Sequence, residues 1–246
     1  MKAIILVAGM GSRLQPLTNN IPKCMVPVDG QPILVRALNR LNELKIIDEV
    51  FLVVGYLAEY IKKTIGSSYL DMKISYIEND KYESTNNVYS LYLTCDRVND
   101  GCILLEGDII FDGEILSELQ KSEGDCCIVG TKYNRESMNG TIVFTNKRNE
   151  VNNLVIKKHQ DTSTMFEKAY KTVNIYKFNK YFWTKKFVPY LKTYIQTGDL
   201  NSYYELVLGS LIYLQEDKIQ LLEVSEDSWT EIDDVEDLRK YEQGHE

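Results

Sequence analysis

Histidine is almost missing from this chain: of 246 residues only His159 and His245 carry an imidazole, and His245 stands one residue from the C-terminus. A hydrolase built on Ser-His-Asp or Cys-His therefore has one workable base at best. The five cysteines, Cys24, Cys95, Cys102, Cys126 and Cys127, form no CxxC pair and lie near no histidine at metal-ligand spacing. They read as small buried apolar residues in a reducing compartment, which makes the expected location cytoplasmic. Long apolar runs are also missing, since stretches such as Ala3 to Ala8 fall far short of the roughly 18 to 20 residues of a membrane span. Neither an anchor nor a signal peptide is expected. Positive charge is in deficit: 28 Lys and Arg against 36 Asp and Glu give a net charge of −8, which repels a nucleic-acid backbone. No linker rich in Gly, Ser or Pro and no internal repeat interrupts the chain, so residues 1–246 are expected to form a single domain.

What is present has the pattern of an α/β protein. A hydrophobic share of 44% is enough for a sizeable core. Residues 2–8 are a continuous apolar run stopped by Gly9-Met10-Gly11, as in a central parallel strand buried on both faces. Ile33, Leu34, Ala37, Leu38, Leu41 and Leu44 recur at helical spacing and predict a helix over 31–45. Strands are predicted at 50–54 and 73–77 with a short helix at 57–65 between them, giving βαβ order. The run Ser84-Thr85-Asn86-Asn87 offers N-caps for a helix with Val88, Leu91, Tyr92 and Cys95 on one face. A strand at 102–106 then delivers Gly107-Asp108 at its carboxyl end, where open α/β sheets bind ligands. A helix at 113–120 is followed by strands at 126–130, 141–144, 153–157 and 173–178, whose hairpin-like spacing makes the sheet mixed. Aromatic-rich helices over 180–195 and 201–214, a strand at 221–224 and a short strand from Trp229 into a last helix capped by Asp233 or Asp234 complete the pattern.

The glycine loop is neither of two common nucleotide motifs. Leu14 occupies the third glycine position of a dinucleotide fingerprint, and Pro16 prevents a helix from starting there. No Gly-Lys-Ser/Thr follows at P-loop spacing. What remains is a turn with exposed backbone N–H groups, the Ser12 hydroxyl and the Arg13 guanidinium, a set suited to a triphosphate.

The longer string Ala8-Gly9-Met10-Gly11-Ser12-Arg13-Leu14-Gln15-Pro16-Leu17-Thr18, then Ile21-Pro22-Lys23, resembles the N-terminal signature of the nucleotidyltransferases that make nucleotide-activated sugars and alcohols. Within that family the chain is most similar to choline-phosphate cytidylyltransferases and to relatives that activate aminoalkyl phosphonates, through Asn79-Asp-Lys-Tyr82, the 85–93 segment, the 170–176 segment and Glu231-Ile-Asp233. The resemblance implies a three-layer αβα sandwich with a mixed, mostly parallel central sheet, a Rossmann-like fold akin to GT-A. It implies that Ala8, Gly9, Gly11 and Ser12 wrap the nucleotide while Arg13 and Lys23 neutralise its phosphates during transfer. Asn86, Asn87 and Ser90 are candidates to contact cytosine or ribose, and serve equally as helix caps. The expected cofactor is Mg²⁺, which favours one or two carboxylates plus phosphate oxygens and water. Asp108 and Asp233 at strand ends are the candidate ligands, with Glu231 two residues before Asp233.

The chain departs from the sugar-activating branch, which carries Glu-Lys-Pro where this sequence has Lys157-Lys158-His159. The expected partners are CTP and a small phosphate or phosphonate acceptor bearing an amine. Lys158, Tyr176, Tyr203, Glu205 and Trp229 are the candidate acceptor-binding residues. Tyr176, Tyr190, Tyr203, Tyr204 and Trp229 could wall an aromatic cage for the quaternary ammonium of phosphocholine. Glu205 would instead suit a primary ammonium, as in 2-aminoethylphosphonate. A sugar-1-phosphate nucleotidyltransferase using UTP or dTTP, and a catalytically silent nucleotide-sensing subunit, are the alternatives.

Overall fold

The computed structural model describes residues 1–214 and 217–244; His245 lies outside them. Its strands are β1 (Lys2–Val7), β2 (Pro27–Val28), β3 (Gln31–Pro32), β4 (Glu49–Val54), β5 (Ser68–Tyr69), β6 (Met72–Glu78), β7 (Cys102–Glu106), β8 (Ile109–Phe111), β9 (Cys126–Lys132), β10 (Ile142–Thr145), β11 (Val151–Val155), β12 (Tyr170–Phe178), β13 (Ile219–Glu223) and β14 (Trp229–Glu231). Its α-helices are α1 (Ile33–Glu43), α2 (Ala58–Ile65), α3 (Asn87–Tyr92), α4 (Gly113–Lys121), α5 (Val188–Thr197), α6 (Glu205–Leu214) and α7 (Val235–Gly244). A ten-stranded sheet runs β11-β10-β12-β7-β1-β4-β6-β5, with β9 also paired to β12 and β13 beside β9. Strands β1, β4, β6, β7, β9, β10 and β13 point one way and β5, β11 and β12 the other, so the sheet is mixed and mostly parallel.

Helices cover both faces because the central strands are apolar on both. Along β1, Ile4 and Leu6 join one core with Val88 of α3, Leu191 of α5 and Val207 of α6. Ala3, Ile5 and Val7 join the other with Leu34 and Leu38 of α1, Ile61 of α2 and Ile115 of α4. The strict alternation is the two-residue period of a strand, read out in two cores. A third, smaller cluster seats α7 by packing Leu238 and Ile232 on Leu14, Val26, Val28, Ile33 and Ile110.

Several elements differ from expectation at their ends. The first helix starts at Ile33 because Gln31 and Pro32 pair with β2 in a hairpin. The helix after Asn86 ends at Tyr92, leaving Cys95 in the turns that follow. The expected helix over 180–195 is a π-helical turn, Phe182–Phe187, running into α5, and the next helix begins only at Glu205. All five cysteines are free and buried, as their scatter implied.

Candidate active site

The carboxyl ends of β1 and β7 open into a cavity of about 300 Å³. Ala8, Gly9, Gly11, Ser12, Arg13, Lys23, Asn86, Asn87 and Ser90 all line it, so the residues expected to hold the nucleotide and its phosphates share one cavity with the candidate metal ligand Asp108. The loop is fixed by Gly11, whose φ of +61° is left-handed, and by Thr18, whose hydroxyl donates to the Gly11 carbonyl at 2.8 Å. A Cβ on Gly11 would lie 2.7 Å from the Lys23 Cβ, so the glycine is also what lets Lys23 approach. Gly107, which also lines the cavity, lets β7 pass close to β1: an added Cβ would collide with Val7 Cγ1 and meet the Leu6 carbonyl at 2.9 Å.

Lys23 bridges two carboxylates, donating to Asp108 Oδ2 at 2.7 Å and Asp233 Oδ1 at 2.8 Å. Burial alone would lower its pKa, but the two negative charges win and hold it well above the ordinary lysine value. Arg13 also reaches Asp233, at 2.9 Å, while two thirds of its side chain stays in solvent. Burial pushes the Asp233 carboxyl up, and the Lys23 and Arg13 charges more than offset this, leaving it below the usual range. Glu231 joins the pair because β14 runs antiparallel to β8, with Glu231 opposite Ile109 and the Ile232 N–H donating to the Asp108 carbonyl at 2.9 Å. Asp108, Glu231 and Asp233 can each offer an oxygen within 4.8 Å of the others, a set able to hold a metal ion. Asp108 Oδ1 is buried without a hydrogen-bond partner among the described residues, which fits a ligand atom waiting for a cation.

A second, larger cavity of about 890 Å³ shares Arg13, Asn86, Asn87, Glu106, Asp108 and Asp233 with the first, so Asp108 and Asp233 of the triad lie at their junction and Glu231 on the side of the larger one. Of the candidate acceptor-binding residues, Lys158, Tyr203 and Glu205 line it, and so does Glu231 of the triad. The aromatic cage does not assemble. Tyr176 is fully buried, its ring 6.2 Å from Phe178 and edge-on to Tyr204 at 5.6 Å. Tyr204 is likewise in the core, Trp229 lines a neighbouring cavity under the Lys171 ammonium, and Tyr190 faces a separate groove on α5. Tyr176 and Tyr204 belong to the core and Tyr190 to another surface, while Trp229 shares its cavity with Glu231 and Asp233 but not with Tyr203.

Of the two roles left open for Asn86 and Asn87, capping falls to Asn86, and Asn87 has structural partners of its own. Asn86 caps α3 through its side chain, which accepts from the Asn87 N–H at 2.8 Å. Asn87 is engaged at both ends, donating to Glu106 Oε1 at 3.0 Å and accepting from the Tyr204 N–H at 3.1 Å. Ser90 accepts from Asn79 at 3.1 Å. Three further residues at the site carry no expected role: Glu106, Lys171 and Asn174. Lys171 is buried, donates to the Thr172 carbonyl at 2.7 Å and approaches Glu231 at 3.5 Å. Asn174 takes a φ of +59° at the irregularity between β12 and β9 and donates to Glu231 at 3.4 Å. The quoted 170–176 segment contains both, but only the register of β12 turns them toward Glu231.

A glycine loop at the end of a central parallel strand, two cations beside it and a carboxylate triad facing them define an α/β protein that handles nucleotide phosphates. A family model described as Nucleotidyl transferase matches residues 2–244, and the chain belongs to that family. It is 29% identical over 240 residues to the CMP-5'-(3-aminopropyl)phosphonate synthase of Streptomyces rubellomurinus, covering 98% of this chain and 38% of that protein. It is 36% identical over 125 residues to the choline-phosphate cytidylyltransferase of Streptococcus pneumoniae, covering 50% of this chain and 51% of that one. The solved CTP:phosphocholine cytidylyltransferase of Streptococcus pneumoniae superposes with a TM-score of 0.78 at 25% identity, covering 100% of this chain and 99% of that chain. The matched stretches thus span about half or less of the curated relatives' own length.

Proposed function

We propose that this protein is a cytidylyltransferase that moves CMP from CTP to a small amine-bearing phosphate or phosphonate and releases pyrophosphate. The observation that carries this is the junction itself: the cavity at the glycine loop and the larger cavity beside it meet at Arg13, Asp108 and Asp233, beside Lys23. The cytidylyltransferase relatives that match the chain support CTP and an amine-bearing acceptor. The reaction needs little acid–base work, because a phosphate monoester with a second pKa near 6 is mostly dianionic at neutral pH. An acceptor oxygen attacks the α-phosphorus of CTP in line, the new P–O bond forms, and the bond to pyrophosphate breaks. Arg13 and Lys23 neutralise the charge that gathers on the transferring and departing phosphates. Asp108, Glu231 and Asp233 would hold Mg²⁺, which supplies charge neutralisation at the phosphate oxygens when bound. Asn87 holds Glu106 and the start of α6 in place, and Thr18 holds the glycine loop.

The test is pyrophosphate release with Mg²⁺ and each of CTP, UTP, dTTP and ATP, against phosphocholine, phosphoethanolamine, 2-aminoethylphosphonate and glucose 1-phosphate. Release with CTP and an amine-bearing acceptor is expected. Release only with UTP or dTTP and glucose 1-phosphate would replace the proposal by sugar activation, and metal-dependent CTP binding without turnover of any acceptor would replace it by nucleotide sensing.

A further inference from the structure

Beyond the carboxylate triad, the larger cavity contains a second acidic pair that the chemistry at phosphorus does not use. Glu106 ends β7, Glu205 opens α6, and both line this cavity. They are brought together by Asn87, which donates to Glu106 and accepts from the Tyr204 N–H one residue before Glu205. Tyr204 adds its hydroxyl to the same Glu106 oxygen at 3.1 Å. Glu205 is 5% exposed; its Oε1 accepts from the Thr141 hydroxyl at 3.4 Å, and its Oε2 is buried with no partner among the described residues. Lys171 also lines this cavity, but its ammonium is committed to the Thr172 carbonyl and Glu231. A buried carboxylate oxygen without a donor is strongly unfavourable, and a cationic guest with N–H groups removes that penalty.

The cavity discriminates between the two kinds of ammonium. A trimethylammonium has no N–H and is held by aromatic faces, whereas a primary ammonium has three donors and is held by acceptors. Tyr203 is the aromatic side chain that lines the cavity, and it sits alone there among the described residues. One ring does not make a cage. We propose that Glu205, with Glu106 beside it, receives the primary ammonium of the acceptor, so that an ω-amino phosphonate or phosphate is selected over its trimethylammonium counterpart. This rests on the cytidylyl-transfer proposal above, and it makes Glu205 a specificity-determining residue.

The experiment is a series of acceptors with CTP and Mg²⁺: phosphoethanolamine, its mono-, di- and trimethylated forms, 2-aminoethylphosphonate, 3-aminopropylphosphonate and glucose 1-phosphate. The last methyl step produces phosphocholine and removes the remaining N–H. In the wild-type protein, kcat/KM is expected to fall at least tenfold from the primary to the quaternary amine, and the two phosphonates distinguish a phosphonate from a phosphate head. Glu205→Gln should raise the acceptor KM about tenfold at unchanged CTP KM and flatten the methylation series, and Glu205→Asp should restore part of the discrimination. A flat or rising series in the wild type overturns the inference and leaves cytidylyl transfer standing. An unchanged series in Glu205→Gln overturns it equally, while turnover of glucose 1-phosphate alone, or of no acceptor, overturns both proposals. Should Glu205→Gln fail to fold, the wild-type series decides by itself.

Discussion

At the scale of single residues, the site turns on one ammonium placed between two carboxylates. Lys23 reaches Asp108 and Asp233 at once, with 15% of its side chain exposed, so it is positioned before any nucleotide arrives. Such preorganised charge does its work without reorganising when charge develops in the transition state. Lys23→Ala is therefore expected to lower kcat by about 10² to 10³, the range for loss of one preorganised donor. Circular dichroism of the variant should match the wild type, because the cores on both sheet faces do not involve this side chain. A kcat within a few fold of wild type would remove Lys23 from the mechanism. The cysteines act in the opposite sense. Burial pushes the Cys24 thiol up to about 12, which keeps a residue lining the nucleotide cavity protonated and unreactive at neutral pH.

At the scale of elements, the site is built by a loop, a bridge of two short strands and a helix start. In Gly11→Ala, the added Cβ meets Lys23 Cβ at 2.7 Å at a left-handed backbone position. The expected result is a rise in the CTP KM together with a lower kcat, read by steady-state kinetics; unchanged kinetics would separate the loop from Lys23. The far end of the sheet is stitched by charge instead. Glu49 of β4 lies opposite Lys2 of β1 and Lys73 of β6 and bonds both, at 3.1 and 2.7 Å, with Ser75 adding a further 2.7 Å bond. Burial works to raise its pKa, yet these donors pull it down to about 2. A depressed carboxylate contributes stability above its unfolded value near 4.5 and loses it as pH falls toward about 2. Glu49→Gln should thus cost about 1 to 3 kcal/mol in urea unfolding at pH 7 and much less near pH 2. A pH-independent difference would refute that origin. Much of this architecture was legible in the sequence, because strands buried on both faces and amphipathic helices announce themselves by local periodicity. The glycine loop, Lys23 and Asp108 were legible from their motif. The β8–β14 pairing was not: the sequence predicts a short strand at Trp229, but the three residues of β8 are too few for a period, and it is their pairing that carries Glu231 to Asp108. Glu106 and Lys171 escaped for a related reason, since a buried charge is defined by partners distant in the chain. The aromatic cage failed because composition counts rings without saying which way they face.

At the scale of the whole molecule, a chain with a net charge of −8 gathers several of its carboxylates around one pair of cavities. Glu106, Glu205 and Glu231 all have raised pKa values, in each case chiefly by burial; neighbouring carboxylates add to this at Glu106 and Glu231, while Lys171 opposes it at Glu205 and Glu231. The folded protein consequently holds more protons than the unfolded chain as pH rises from the ordinary carboxylate value near 4.5 through these raised values. Stability must fall across that window, because the slope of unfolding free energy with pH is negative wherever the folded state binds the more protons. Below it, Asp233 and Glu49 act the other way, since both are depressed and lose their contribution on acidification. The metal-free protein is thus expected to reach its highest Tm on the mildly acidic side and to decline toward pH 8. A divalent cation held by the triad competes with the proton on Glu231, so it should bind more tightly as pH rises. Thermal unfolding at pH 5.5 and pH 8 with and without 5 to about 10 mM Mg²⁺ checks this through linkage. The Mg²⁺-induced rise in Tm is expected to be larger at pH 8, and Asp108→Asn is expected to abolish most of it. An equal rise at both pH values, or one that survives in Asp108→Asn, would place the metal away from the triad and leave the acidic centre to be neutralised by substrate alone.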